Sequence, residues 1–244
     1  DTSTSSCGNS RFGCWVCTVV DKDKSMENLI DSGEDWMQPL LELRQDLKDT
    51  QDPEKKLEIR DFKRRDGKVI FFTDGTEKIT PGPYKIEFRK EFLKKLLDAQ
   101  NKVRKDGPDP TMSLILEEEI HEIQRIWRVE QGDWENSVYA IYEEITGVNL
   151  SSVKEDLGGF THVEQEILDG ICEKNNVPKL LVSKLLNAEF DSQGMTRHSK
   201  IYPKIGKILS EEWRTWDEIE TIKDELKDKR KKKLQNEPFS RETK

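Results

Sequence analysis

The feature that most constrains this chain is an apolar spacing that recurs along most of its length. Trp36, Leu40, Leu43 and Leu47 stand at i, i+4, i+7 and i+11; so do Leu116, Ile120, Ile123 and Trp127, and again Trp134, Val138, Ile141 and Ile145. Such positions share a face only when the backbone turns every 3.6 residues, so each stretch is predicted to be an amphipathic helix. The rest of each surface is charged: Asp, Glu, Lys and Arg make up 37% of the 244 residues, against about 25% in an ordinary domain. Helices with one apolar face each must pack on one another, and the expected fold is mainly α. Six Trp and nine Phe among the apolar residues are enough for one core or two small ones.

Local signals divide the chain. Ser32 is expected to cap the helix of Trp36, with Pro39 tolerated in its first turn. The period changes at Val69-Ile70-Phe71-Phe72, where Asp74-Gly75 and a return through Lys78-Ile79-Thr80 predict a small β-hairpin. Helical spacing resumes after Pro81-Gly82-Pro83 with Phe88, Phe92, Leu96 and Val103, and Pro108 and Pro110 mark a linker. Ser113 precedes the stripe from Leu116, and Gly147 ends the one from Trp134. Thr161 with Glu164 has the form of a capping box, Pro178 opens a segment with Leu181 and Leu185, and Ile201, Ile205, Ile208 and Leu209 line another helix. The last helix runs from Trp216 through Ile219, Ile222 and Leu226 into a basic run from Lys227 to Lys233. The organisation expected is a cysteine loop at 1–24, helices with the hairpin at 25–107, a helical pair at 108–148, a helical module at 149–215 for docking DNA or a partner, and a basic helix and tail at 216–244.

Charge removes several classes of function. Lys and Arg number 41 against 49 Asp and Glu, a formal charge of -8, which argues against coating nucleic acid by bulk charge. A local basic face remains possible in chemistry: Arg197, Lys200, Lys204 and Lys207 are candidate phosphate contacts, the plainer reading being a solvated helix start. No apolar run approaches the roughly 18 residues of a membrane span. The chain begins Asp1-Thr2-Ser3 with no Met or basic-then-apolar leader, and is expected to be the tail of a longer polypeptide. No H-E-x-x-H, P-loop or Ser/His/Asp set occurs, Glu117-Glu118-Glu119 reads as a solvated face, and His121 reads as a boundary histidine.

Three of the four cysteines fall within eleven residues: Cys7, Cys14 and Cys17. The C-x2-C pair puts two thiolates on one turn, and Gly8 and Gly13 let Cys7 fold back to the same centre. Thiolates favour zinc or an iron-sulfur cluster over hard cations. One reading is a structural zinc that staples the loop, its fourth ligand being Cys172, His121, His162 or His198. Cys172, beside Ile171 in a helical stretch with Val163 and Ile167, reads more simply as a buried small hydrophobe.

The wording of the loop adds a resemblance. Asp1-Thr2-Ser3-Thr4, then Cys7-Gly8-Asn9-Ser10-Arg11-Phe12-Gly13-Cys14-Trp15-Val16-Cys17-Thr18, then Asp23-Lys24-Ser25-Met26-Glu27 closely resembles the cysteine loop of the DndC-type sulfurtransferases of bacterial DNA phosphorothioation, relatives of the PAPS reductases. Gly82-Pro83-Tyr84 leading into Glu87-Phe88-Arg89-Lys90-Glu91, then Ile126-Trp127-Arg128 and Gln193-Gly194-Met195-Thr196-Arg197, are similar to the same family; the stretch from about Thr50 to Thr80 matches it only loosely.

The resemblance implies an upstream α/β PP-loop domain with an S-G-G-x-D-S motif that uses ATP, a [4Fe-4S] cluster on the cysteine loop, and replacement of a non-bridging oxygen of a DNA backbone phosphate by sulfur. The partners implied are DNA, a cysteine desulfurase and the other Dnd proteins, in the cytoplasm. This sequence holds no S-G-G-x-D-S. On that view it is the C-terminal portion of such an enzyme, with Cys7, Cys14 and Cys17 as cluster ligands and the fourth iron open or held from the upstream domain. The rivals are a zinc-stapled helical module binding a protein or DNA, and a related sulfonucleotide reductase.

Overall fold

The computed structural model describes residues 16–72, 78–150, 162–192 and 201–236. The chain is mainly helical. Helix α1 (Lys24–Asp31) is opened by Asp23, whose carboxylate accepts from the Met26 N–H at 3.1 Å. Ser32 does not open the next helix, as its sequence position suggests. It closes α1 instead: its N–H donates to Asn28 O at 3.1 Å, its hydroxyl donates to the same carbonyl at 2.6 Å, and Gly33 at φ 105° turns the chain away. A 3-10 turn (Asp35–Met37) then leads into α2 (Gln38–Asp49), which carries Pro39 in its first turn.

After the single turn α3 (Lys56–Ile59) come the long α4 (Ile86–Asp106), then α5 (Glu117–Gln131) and α6 (Ser137–Thr146). Helices α7 (His162–Asn175), α8 (Lys179–Phe190), α9 (Ile201–Leu209) and α10 (Trp216–Asn236) follow. Two apolar clusters form among the described residues. The larger joins Leu93 and Leu97 of α4 to Ile120 and Trp127 of α5 and to Val138 and Ile141 of α6; the smaller gathers Met26, Met37, Leu40 and Val103. Helix α4 packs on both α2 and α6, and so its buried sector is wider than the stripe read from sequence. Leu93, Leu97, Ala99, Gln100 and Val103 are buried, whereas Phe88, Phe92 and Leu96 are only half-buried at its border. Leu116 likewise sits outside the α5 stripe, as the N-cap residue, 54% exposed.

Buried amides tie the helices together where apolar packing cannot. Gln100 Oε1 accepts from the N–H groups of Leu114 and Ile115, at 2.7 and 3.1 Å, and so fixes the linker that follows Pro108 and Pro110. Gln124 Oε1 accepts from Val138 N–H at 3.0 Å, and Asp133 accepts from both the N–H and the hydroxyl of Ser137. A buried polar group left unpaired costs about 1–3 kcal/mol, so these bonds fix one α5–α6 arrangement rather than several. Gly132 at φ 66° and Gly147 at φ 72° end α5 and α6 in the left-handed conformation.

No strand forms among the described residues. Where a hairpin is expected, Phe71 and Ile79 make one antiparallel bridge, flanked by Phe72 N–H to Lys78 O at 2.7 Å and Thr80 N–H to Ile70 O at 2.9 Å. Its Asp74-Gly75 tip lies outside the described residues. A second bridge pairs Arg60 with Tyr84. Among the described residues no helix is long and apolar enough to cross a membrane.

Candidate functional site

Of the three clustered cysteines Cys17 is described, with a free, half-buried thiol; Cys7 and Cys14 lie outside the described residues. The segment leaving Cys17 is laid along α2. Arg44, Lys48 and Gln51, spaced so that they rise along one side of the helix and its end, each reach it. Arg44 is 1% exposed and donates through Nη2 to Val20 O at 2.5 Å and through Nη1 to Asp21 O at 3.3 Å. Lys48 Nζ donates to Thr18 O at 3.2 Å and pairs with Asp21 Oδ1 at 2.8 Å, and Gln51 Nε2 donates to Thr18 Oγ1 at 2.6 Å. The hydrogen bond and charge of Lys48 hold the Asp21 carboxyl below the usual carboxylate range, with Arg44 adding to the effect.

Arg44 Nε is buried and meets no partner among the described residues. Its guanidinium backs the leg at Val20 and Asp21. A cysteine in no disulfide among the described residues, on a leg bonded to Arg44 and Lys48, offers the soft sulfur donor that suits an iron-sulfur cluster and zinc alike.

The other ligands considered from sequence are placed as follows. Among the described residues no three His, Cys, Asp or Glu side chains group so as to hold a metal. Cys172 is buried in α7, 4% exposed. His121 Nδ1 lies 2.8 Å from Tyr139 Oη, with the two rings edge to face. His162 begins α7, and His198 and the Thr161 half of the expected capping box lie outside the described residues. Of the basic quartet, Arg197 and Lys200 also lie outside them, while Lys204 and Lys207 are exposed on α9 and Lys204 is paired with Asp191 at 2.6 Å.

A second concentration of charge escapes sequence reading because it falls in the stretch that matches the family only loosely. Arg60, Arg64 and Arg65, with Asp66, line an open cleft of about 420 Å³ whose opposite wall is Pro81-Gly82-Pro83. Backbone bonds clamp the two walls together: Asp61 N–H to Pro83 O at 2.8 Å, Gly82 N–H to Asp61 O at 2.7 Å, and Lys85 N–H to Ile59 O at 3.0 Å. Arg60 Nη1 donates to Gly82 O at 3.2 Å, and its guanidinium lies 4.2 Å over the Tyr84 ring.

From the far side the arginine loop is held by Glu212 N–H to Gly67 O at 2.7 Å and by Phe62 against Trp216, ring centres 5.4 Å apart. Arg89, bonded through Nε to Tyr84 O at 2.8 Å, stands close behind; burial lowers the affinity of its guanidinium for a proton, Arg65 adds to that, and Glu130 and Asp61 oppose it. The only signal in the sequence is the run Lys63-Arg64-Arg65; that it faces a Pro-Gly-Pro wall emerges only from the fold.

Compared with known proteins, the chain matches no family model, no curated protein and no solved structure.

Proposed function

We propose that this chain is the cluster-bearing portion of a DndC-like sulfurtransferase that places sulfur in the DNA backbone, with Cys7, Cys14 and Cys17 as ligands of a [4Fe-4S] cluster. What carries the reading is the spacing of the three cysteines together with the docking of the Cys17 leg on Arg44, Lys48 and Gln51. The cluster supplies the sulfur-handling chemistry when bound; the chain's own residues position it. Arg44 and Lys48 hold the leg at Thr18, Val20 and Asp21, so that Cys17 keeps its place. ATP belongs to a PP-loop domain outside this chain, the partners are DNA, a cysteine desulfurase and other Dnd proteins, and the protein works in the cytoplasm. In the same reading the Phe71–Ile79 bridge is the base of a small β-hairpin.

Metal content tests it. Thiolate-to-iron charge transfer colours a [4Fe-4S] protein brown, whereas d10 zinc is colourless. Purified without oxygen alongside its upstream domain, the protein is expected to be brown, to contain iron and acid-labile sulfide, and to lose both in Cys14→Ser or Cys17→Ser while keeping them in Cys172→Ser. A colourless preparation with one zinc per chain, from a host with working cluster assembly, overturns the proposal.

A further inference from the structure

We infer that the Arg60, Arg64 and Arg65 cleft is a phosphate-binding site that holds the backbone of a nucleic-acid strand. The chain as a whole repels polyanions at a formal charge of -8, so a concave site lined by three arginines and one carboxylate is a local reversal of sign. Like charges gathered on one short loop repel one another, and a bound anion relieves that repulsion. Arg64 and Arg65 are exposed and enter no ion pair among the described residues. Arg60 uses Nη1 on Gly82 and has no other side-chain hydrogen bond there. Planar guanidinium groups with free donors are the side chains best matched to phosphate oxygens.

The walls favour a strand over a free nucleotide. Pro81, Gly82 and Pro83 offer no aromatic face for a base, Tyr84 is covered by Arg60, and Phe62 packs on Trp216 and does not line the cleft. The cleft is open, so it can take a chain that enters and leaves, and contacts confined to phosphate fix position without reading sequence. The loop is also pre-formed: it is clamped by backbone bonds to residues 81–85 and, through Gly67, to Glu212. Little ordering entropy is left to lose on binding. Of the acids beside it, Glu211 pairs with Lys184 and Glu212 with Arg214, both at 2.5 Å, while Asp61 and Asp66 accept from the backbone N–H groups of Lys63 and Lys68 at 3.0 and 3.2 Å.

The phosphate site stands on this geometry; the choice of DNA as the strand rests on the function proposed above. The test is fluorescence anisotropy of a labelled DNA duplex titrated with the full chain, across about 50 to 200 mM KCl. Arg64→Ala/Arg65→Ala is expected to bind about tenfold more weakly at the low end and to flatten the dependence of log K on log salt by about one to two. Circular dichroism and melting of the double variant should match the parent, because only exposed side chains change. Lys204→Ala/Lys207→Ala is expected to stay within about twofold of the parent.

Unchanged affinity and slope in the arginine variant overturn the inference, as does a loss confined to the lysine variant. ATP binding that is tighter than duplex binding and lost in the arginine variant also overturns it, moving the ligand to a nucleotide. The two proposals fail separately: a colourless protein whose DNA affinity depends on Arg64 and Arg65 removes the cluster and keeps the cleft, while a brown protein without that dependence does the reverse.

Discussion

Helices α5 and α7 are built to opposite plans. In α5 the apolar stripe faces in: Ile120 is 0% and Trp127 5% exposed. In α7 the apolar stripe faces out, with Val163, Ile167 and Ile171 at 60, 58 and 55% exposure, while Gln165 and Cys172 are buried. The cause is the partner each helix meets. Helix α5 lies against α6, whose facing side chains are apolar. Helix α7 meets the turn before α6, where Trp134 N–H needs an acceptor: Gln165 Oε1 takes that bond at 2.8 Å, and its amide donates to Glu135 at 3.2 Å. With Gln165 inward that donor has an acceptor at 2.8 Å, shorter than its 3.1 Å contact to Gly132 O, and Val163, Ile167 and Ile171 are left outside.

Three substitutions sharpen the contrast, each read as a shift in the midpoint of chemical denaturation. Leu97→Ala, at a position with 0% exposure in the larger cluster, should cost about 2–5 kcal/mol; a loss below about 1 kcal/mol would mean that the α4–α6 core is loosely packed. Gln165→Ala should cost about 1 kcal/mol, since Trp134 N–H retains a second, longer contact to Gly132 O at 3.1 Å. No loss there would remove the reason given for the orientation of α7. Ile167→Ser should change stability by no more than about 0.5 kcal/mol, and a core-sized loss would show that the exposed stripe is covered in solution.

The same contrast explains how much could be read in advance. In α5 and α6 the period located the buried apolar side: Ile120, Trp127, Val138 and Ile141 are all inside. What no hydropathy pattern marks is the buried amides, Gln100 of α4 and Gln124 of α5, whose place is set by the backbone donors they bond. Ser32 was legible as a cap but not as to which helix it serves, because Asp23, which opens the helix before it, and the adjacent Gly33 decide that. The cysteine spacing is visible in the sequence alone, but of the three residues only Cys17 lies among those described, so metal content and not the fold tests what they hold. The arginine cleft was not, since its second wall is distant in sequence and joins the first through the Arg60–Tyr84 pairing and the backbone bonds beside it, which no local pattern marks.

Gly82 gives that pairing a consequence of its own. A β-carbon placed there would overlap the Lys63 carbonyl oxygen, so the two walls touch through bare backbone. The arginine loop and the Pro-Gly-Pro segment must therefore evolve as a unit. One added methyl at position 82, carrying no charge and lying outside the arginine run, is enough to push the loop from its seat and scatter the guanidinium groups. Among sequence variants of this protein, loss of the cleft is to be sought as much in a silent-looking glycine as in the cations themselves.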